Sequence, residues 1–261
     1  MQKDFFLLLI DFLTAYHHNC NMLKKVCKVK LFIVLSVFFL SGAFCYARPS
    51  MEFTIDYNCL TECSSNVEFT GNGVFTTRDE GTLKKKITSP AGIGGSATVF
   101  LGSPSKSLDL GIGSSVSYNV FSNCMLDDEK AKVDSGYVLS FAAGPAARFT
   151  FGKYTSLYFS PGVRFNIQNI SIKNSIGKMT YQEKNIMFNI SGGIREWFFS
   201  TGKTNFGLDA GFDFAFPMNS FCKMEYSGLG SSFTENYKVK SGRFLKFYVG
   251  MCLNFGNRNT N

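Results

Sequence analysis

The stretch FGLDAGFDFAFP, residues 206–217, puts Phe206, Leu208, Ala210, Phe212, Phe214 and Phe216 on one parity and Asp209 and Asp213 on the other. Successive side chains of a strand point to opposite faces, so this segment reads as a strand between two unlike media. The same two-residue period recurs seven more times. Met51, Phe53, Ile55 and Tyr57 alternate with Glu52, Thr54, Asp56 and Asn58. Ala91, Ile93, Ala97, Val99 and Leu101 alternate with Gly92, Gly94, Ser96 and Thr98. Leu108, Leu110, Ile112, Val116 and Val120 stand against Asp109, Gly111, Gly113, Ser115, Ser117 and Asn119. Leu139, Phe141, Ala143, Ala147 and Phe149 stand against Ser140, Gly144, Arg148 and Thr150. Further on, Leu157, Phe159, Val163, Phe165 and Ile167 oppose Ser160, Gly162, Arg164, Asn166 and Gln168, and Ile186, Phe188, Ile190 and Ile194 oppose Asn189, Ser191, Gly193 and Arg195. The last segment sets Leu245, Phe247, Val249, Met251, Leu253 and Phe255 against Lys246, Tyr248, Gly250 and Asn254. No segment shows comparable helical periodicity, so the chain reads as all-β.

The connections separate a membrane barrel from a soluble sandwich. GSPSKS (102–107), GKYTS (152–156) and STGKTN (200–205) are short and rich in turn formers, whereas residues 60–86, 122–136, 172–184 and 218–242 make long connections. Short and long alternate around an even number of strands. That predicts an eight-stranded antiparallel transmembrane up-and-down β-barrel with short periplasmic turns and long extracellular loops. GNG at 71–73, between VEFT and VFTT, is a hairpin signal that either lengthens the first loop or adds two strands to make ten.

The polar parity is mostly Gly, Ser, Ala and Asn with about one charge per strand, a face suited to a narrow interior. Eight strands enclose only enough room for side chains. Arg148, Arg164, Arg195 and Lys246 share that parity with Glu52, Asp56, Asp109, Asp209 and Asp213, and a lumen plugged by their ion pairs is expected. A turn centred on Gly202 would set Arg195 opposite Asp209 inside and Phe198 opposite Phe206 outside. Phe149, Phe151, Phe159, Trp197, Phe198, Phe206 and Phe255 gather beside the short turns as an interfacial girdle. Pro145 and Pro161 fall mid-strand, where they lack a ladder donor, and bulges are expected there. GIGGSA (92–97) is read as glycines that let strands pack closely, because no strand-to-helix transition follows it. Glu196 falls on the lipid-facing parity, close to a turn.

The start of the chain changes the composition. Residues 22–47 run from a basic segment (Lys24, Lys25, Lys28, Lys30) through an apolar one (31–40) to small residues before Arg48, the order of a signal peptide. Residues 1–21 read as an upstream extension with Met22 as the true start, and 48–261 as the barrel. Of 27 Lys and Arg, 5 fall before Arg48, as do 2 of 19 Asp and Glu, leaving 22 against 17, a net +5 without the concentrated basic stripe of a nucleic-acid binder. Both histidines, His17 and His18, precede the barrel. That excludes histidine-based acid/base, triad and metal chemistry from it, and no cofactor or metal is expected. Of the five remaining cysteines, Cys59, Cys63, Cys124 and Cys222 fall on the rim of the long loops and Cys252 on the lumen parity near the other rim. The four are candidates for loop-stapling disulfides in any of three pairings, with free thiols the equal alternative.

From Met51 to Phe255 the chain resembles the eight-stranded outer-membrane β-barrels of diderm bacteria, a group with small surface adhesins and opacity-type proteins. Its last strand, LKFYVGMCLNF, resembles their C-terminal aromatic recognition segment, with Leu253 and Phe255 in the assembly-signal positions. The tail 256–261 departs from members that stop at the last aromatic. The resemblance implies a bacterial outer-membrane location and outer-membrane lipid and the assembly machinery as partners. It also implies a structural or adhesin-like role, with a host or extracellular surface met by the loops. A narrow conduit for small or apolar solutes and a soluble secreted all-β binding protein are the alternatives. Barrel enzymes of this size use a histidine that residues 48–261 lack, so no enzymatic activity is expected.

Overall fold

A computed structural model of the chain describes residues 50–70, 80–105, 107–152, 154–173, 177–201, 204–228 and 231–255. The expected signal segment and upstream extension, the 71–73 turn, Gly202 and the tail 256–261 lie outside these residues. Eight strands follow one another: β1 (Ser50–Thr70), β2 (Glu80–Ser105), β3 (Leu108–Leu126), β4 (Glu129–Phe151), β5 (Thr155–Lys173), β6 (Gly177–Thr201), β7 (Thr204–Gly228) and β8 (Ser231–Phe255). Each pairs antiparallel with the next, and β1 pairs with β8, so the sheet closes into a barrel without an edge. The ring has eight strands, not ten.

The four long connections expected as loops are largely strand. β1 and β2 run to Thr70 and from Glu80, and β3 meets β4 across Asp127 and Asp128 alone. Those two residues have φ of 48° and 67°, the left-handed pair of a two-residue hairpin turn. What hid these extensions is an inversion of polarity. In the lower barrel Ile55, Tyr57, Ile93, Phe212, Phe216, Phe247 and Val249 point outward and are exposed, forming a belt. In the upper barrel Leu60, Val67, Ile87, Phe121, Val239 and Phe244 are buried in an internal apolar cluster, while Asn66, Lys84, Lys86, Gln182, Lys184 and Lys223 face out. Apolar groups face outward only where the outside is lipid. Above that level water is outside, and the core moves into the barrel as in a soluble protein. Register shifts at Asn58/Leu60, Leu60/Cys63, Phe121/Asn123 and Ile186/Met187 mark the changeover, because one extra residue flips all side chains beyond it.

The mid-strand prolines form no bulge between β4 and β5. Ala143 pairs with Val163 and Ala147 with Phe159 in one unbroken register, and the pairing simply lapses between them. A Cβ on Gly144 would stand 2.1 Å from the Pro161 carbonyl oxygen, so only glycine allows the backbones to approach and close the gap. The Ser160 hydroxyl donates to the Pro145 carbonyl at 2.8 Å, satisfying an acceptor that the ladder leaves open. The expected bulge is unnecessary because a missing donor can be met by opening the ladder locally.

Candidate functional site

Alternation brings charged side chains of all eight strands into the lumen, in three tiers. At the lower tier Glu52 accepts from Arg148 and Arg195 on opposite walls, and from Asn254 Nδ2 at 2.9 Å. Arg148 also holds Asp109 at 2.5 Å, and Arg195 Nε stands 3.3 Å from Asp209, its register partner. Phe198 does not face Phe206. Phe199 does, with ring centroids 5.9 Å apart, because a bulge at Trp197/Phe199 offsets the register by one below the Arg195–Asp209 pair. Trp197 is no part of the outer girdle: it points inward and donates Nε1–H to Ser156 Oγ at 3.1 Å. Glu196 faces out, half-buried, and accepts from Thr155 Oγ1 at 2.6 Å.

At the middle tier Asp213 is shared by Arg164 at 2.5 Å and Lys246 at 2.9 Å, with Arg164 Nε donating to Asn189 at 2.8 Å. Asp56 accepts from Asn58 Nδ2 at 3.1 Å. Asp56, Asn189, Asp213 and Lys246 border a cavity of about 50 Å³ lined by Thr54, Ser96, Thr98, Tyr158, Ser191 and Tyr248 among others.

The upper tier was not legible from the alternation. Lys85 and Glu183, 2.5 Å apart with side chains 0 % exposed, lie within the apolar cluster. Gln168, Ser65 and Asn185 complete their hydrogen bonds at 2.5, 2.9 and 2.6 Å, and the Tyr181 hydroxyl donates to Glu183. Burial alone would raise the Glu183 carboxyl. Lys85, with the Tyr181 and Asn185 donors, holds it below the ordinary 4.5. Both residues fell in stretches read as loops, where the reversed pattern masked them.

A second feature escaped the sequence: each lumen cation lies over an aromatic ring. Arg148 covers Phe100 at 4.3 Å, Arg164 Phe244 at 4.4 Å, Arg195 Tyr158 at 4.1 Å, Lys246 Tyr248 at 5.2 Å and Lys85 Tyr181 at 4.5 Å. The ring faces supply negative potential where water is scarce. Of the expected assembly-signal residues, Phe255 faces out against Phe53, edge to face at 6.0 Å, and Leu253 pairs with Phe53 and Phe206.

The candidate disulfides do not form: Cys59, Cys63, Cys124 and Cys222 are free thiols, and Cys252 is not disulfide-bonded either. Cys63 and Cys124 are both register partners of Ile87, which puts them about two strand spacings, or 9–10 Å, apart. A disulfide requires less than about 7 Å between Cα atoms. Cys59 is only half-buried whereas Cys63 is buried inward beyond the bulge, so they do not meet. Burial pushes the Cys63 and Cys222 thiols up to about 12, which leaves almost no thiolate at neutral pH. A membrane-impermeant maleimide should therefore leave Cys63, Cys124 and Cys222 unlabelled on the folded protein, with or without prior reduction, and label them after unfolding. Labelling that appears only on mild reduction would show a disulfide instead.

No protein-family model matches the chain, and no curated protein matches it in sequence. Its fold does have solved counterparts. The outer membrane protein OprG from Pseudomonas aeruginosa aligns with a TM-score of 0.53 at 10% identity, over 81% of this chain and 98% of that one. The chain is an eight-stranded β-barrel of the outer-membrane type. The outer membrane protease OmpT from Escherichia coli aligns at 8% identity over 80% and 97% of the two chains (TM-score 0.49), and Neisserial surface protein A at 12% over 80% and 97% (TM-score 0.39). At such identities the likeness is one of fold. Within this barrel the lumen charges engage one another, so their chemistry is cohesive: they join opposite walls through the interior.

Proposed function

We propose that this barrel works in the bacterial outer membrane as a structural and surface-interaction protein, with a plugged lumen and the upper hairpins of β1–β8 as the part that meets the outside. The observation that supports the reading is the pair of buried layers on either side of the small middle cavity, the Glu52 tier below and the Lys85–Glu183 tier with its apolar cluster above. With the interior occupied, the surface that remains for partners is the outside of the hairpins. Lipid and the assembly machinery are the partners proposed for the belt and the last strand, and an extracellular or host surface for the hairpins. The role is non-enzymatic: residues 48–261 hold no histidine, and the buried acids and bases neutralise one another.

Two measurements test this. Extracted from membranes, the protein should migrate differently on a gel before and after boiling, as a closed barrel resists unfolding until heated. In planar bilayers it should give no stable, large single-channel currents. Such currents would overturn the plug and favour the narrow conduit, and unchanged mobility with recovery in the soluble fraction would favour a secreted binding protein.

A further inference from the structure

Above the apolar belt, the outer face of β8, β1, β2, β3 and β4 carries a row of cations. Ser64 on β1 is the register partner of both Arg243 on β8 and Lys86 on β2. Lys86 partners Met125 on β3, which partners Lys130 on β4. Arg243, Lys86, Met125 and Lys130 are exposed, Ser64 is half-buried between them, and their strand neighbours Cys63, Lys85 and Phe244 point inward. Lys84 and Lys132 stand one outward position along β2 and β4, also exposed, so five cations share the face. Cations on alternate strands are about 9–10 Å apart, and long side chains at that spacing converge on a group held between them.

Carboxylates also lie near the row: Glu62 shares the outward parity of Ser64, and Asp127, Asp128 and Glu129 stand at the β3–β4 turn beside Lys130. Glu62 accepts from Ser64 Oγ at 2.8 Å, Asp127 accepts the Lys84 backbone N–H at 2.8 Å, and Asp134 accepts that of Lys173. Among the described residues none of the five outer cations forms an ion pair, whereas all five lumen cations do. The position is specific. Arg243 is one outward step above Leu245, the last apolar outward residue of β8, so the row starts at the edge of the belt. Strand tilt of about 40° lifts the row by about 3 Å per strand, which carries it through the polar zone beyond a hydrocarbon core.

We propose that this row binds phosphate-bearing lipid headgroups of the surrounding leaflet, with Arg243, Lys86 and Lys130 as the phosphate donors. Guanidinium and ammonium groups satisfy phosphate oxygens through charge-assisted hydrogen bonds, and cations beside a membrane surface attract anionic headgroups. The inference rests on the outer-membrane reading. Its test is separable from that reading because insertion and lipid preference are measured independently.

The protein is reconstituted into phosphatidylcholine vesicles, insertion is verified by heat-dependent gel mobility, and the association of spin-labelled phosphatidylglycerol is compared with that of spin-labelled phosphatidylcholine. The expected result is a preference for phosphatidylglycerol of about threefold or more, reduced towards one by R243Q/K86Q/K130Q and by high salt, and restored by R243K/K86R/K130R. All three positions are exposed, and unchanged gel mobility of the variants certifies the fold. Equal association of the two lipids, or a preference that survives the triple glutamine variant, overturns the proposal. Loss of the preference in millimolar inorganic phosphate at constant ionic strength also overturns it, since the row would then be a site for the free ion. A protein that fails to insert refutes the outer-membrane reading itself.

Discussion

Asp213→Asn should destabilise the folded barrel by about 3–5 kcal/mol, the range for breaking a buried ion pair by removing one partner. Asp213 serves both Arg164, 2.5 Å away, and Lys246, 2.9 Å away, and their side chains are 1 % and 3 % exposed. An asparagine preserves shape and one acceptor but leaves two buried cations sharing no carboxylate at that distance. Glu52→Gln makes the informative comparison. It also touches two cations, yet Arg148 keeps Asp109 at 2.5 Å and Arg195 keeps Asp209 at 3.3 Å, so the loss should be clearly smaller. The contrast is measured as the shift in urea midpoint of the heat-modifiable form in vesicles. If Asp213→Asn costs no more than Glu52→Gln, the middle tier does not depend on Asp213 as its shared anion.

Lys85→Met should be comparably damaging, by about 3–5 kcal/mol, because it strands the Glu183 carboxylate inside the upper apolar cluster. The double variant Lys85→Met/Glu183→Leu should recover most of that loss, since well-packed apolar groups of similar volume replace buried pairs at little cost. Some deficit should persist, because Ser65 and Asn185 lose their acceptor. The pH dependence follows from the same pair. Glu183 is held below 4.5 in the folded state, so its contribution is fully present above that value. It is lost as pH falls through the depressed folded value, when a protonated Glu183 leaves Lys85 without its counter-charge. Acid unfolding followed by gel mobility should show this step in the wild type, and the double variant should lack it. An acid transition of equal size in both would detach the pair from the pH response.

Eight strands, their antiparallel meander and the two chemistries of the lower barrel were legible because a strand has a side-chain period of two, and because lipid outside and a cramped lumen inside impose opposite choices on the two parities. Phe212 against Asp213, or Phe53 against Glu52, states both environments in adjacent letters. Pairs across a short turn were nearly as accessible: Arg195 and Asp209 are equidistant from their turn and meet, while Phe198 missed Phe206 through a single bulged residue. What the sequence could not convey is where the outer medium changes. Beyond that level β1, β2, β7 and β8 continue, but Leu60, Ile87, Cys222 and Phe244 turn inward and lysines outward, and bulges reset the parity between the two regimes. A local pattern records alternation and not the identity of the solvent on each side. Lys85 and Glu183 therefore looked like loop charges until strand pairing, across 98 residues of separation, enclosed them together. The stacking of Arg148 on Phe100 and Arg164 on Phe244 has the same origin: only closure of the barrel brings side chains of non-adjacent strands face to face across the lumen.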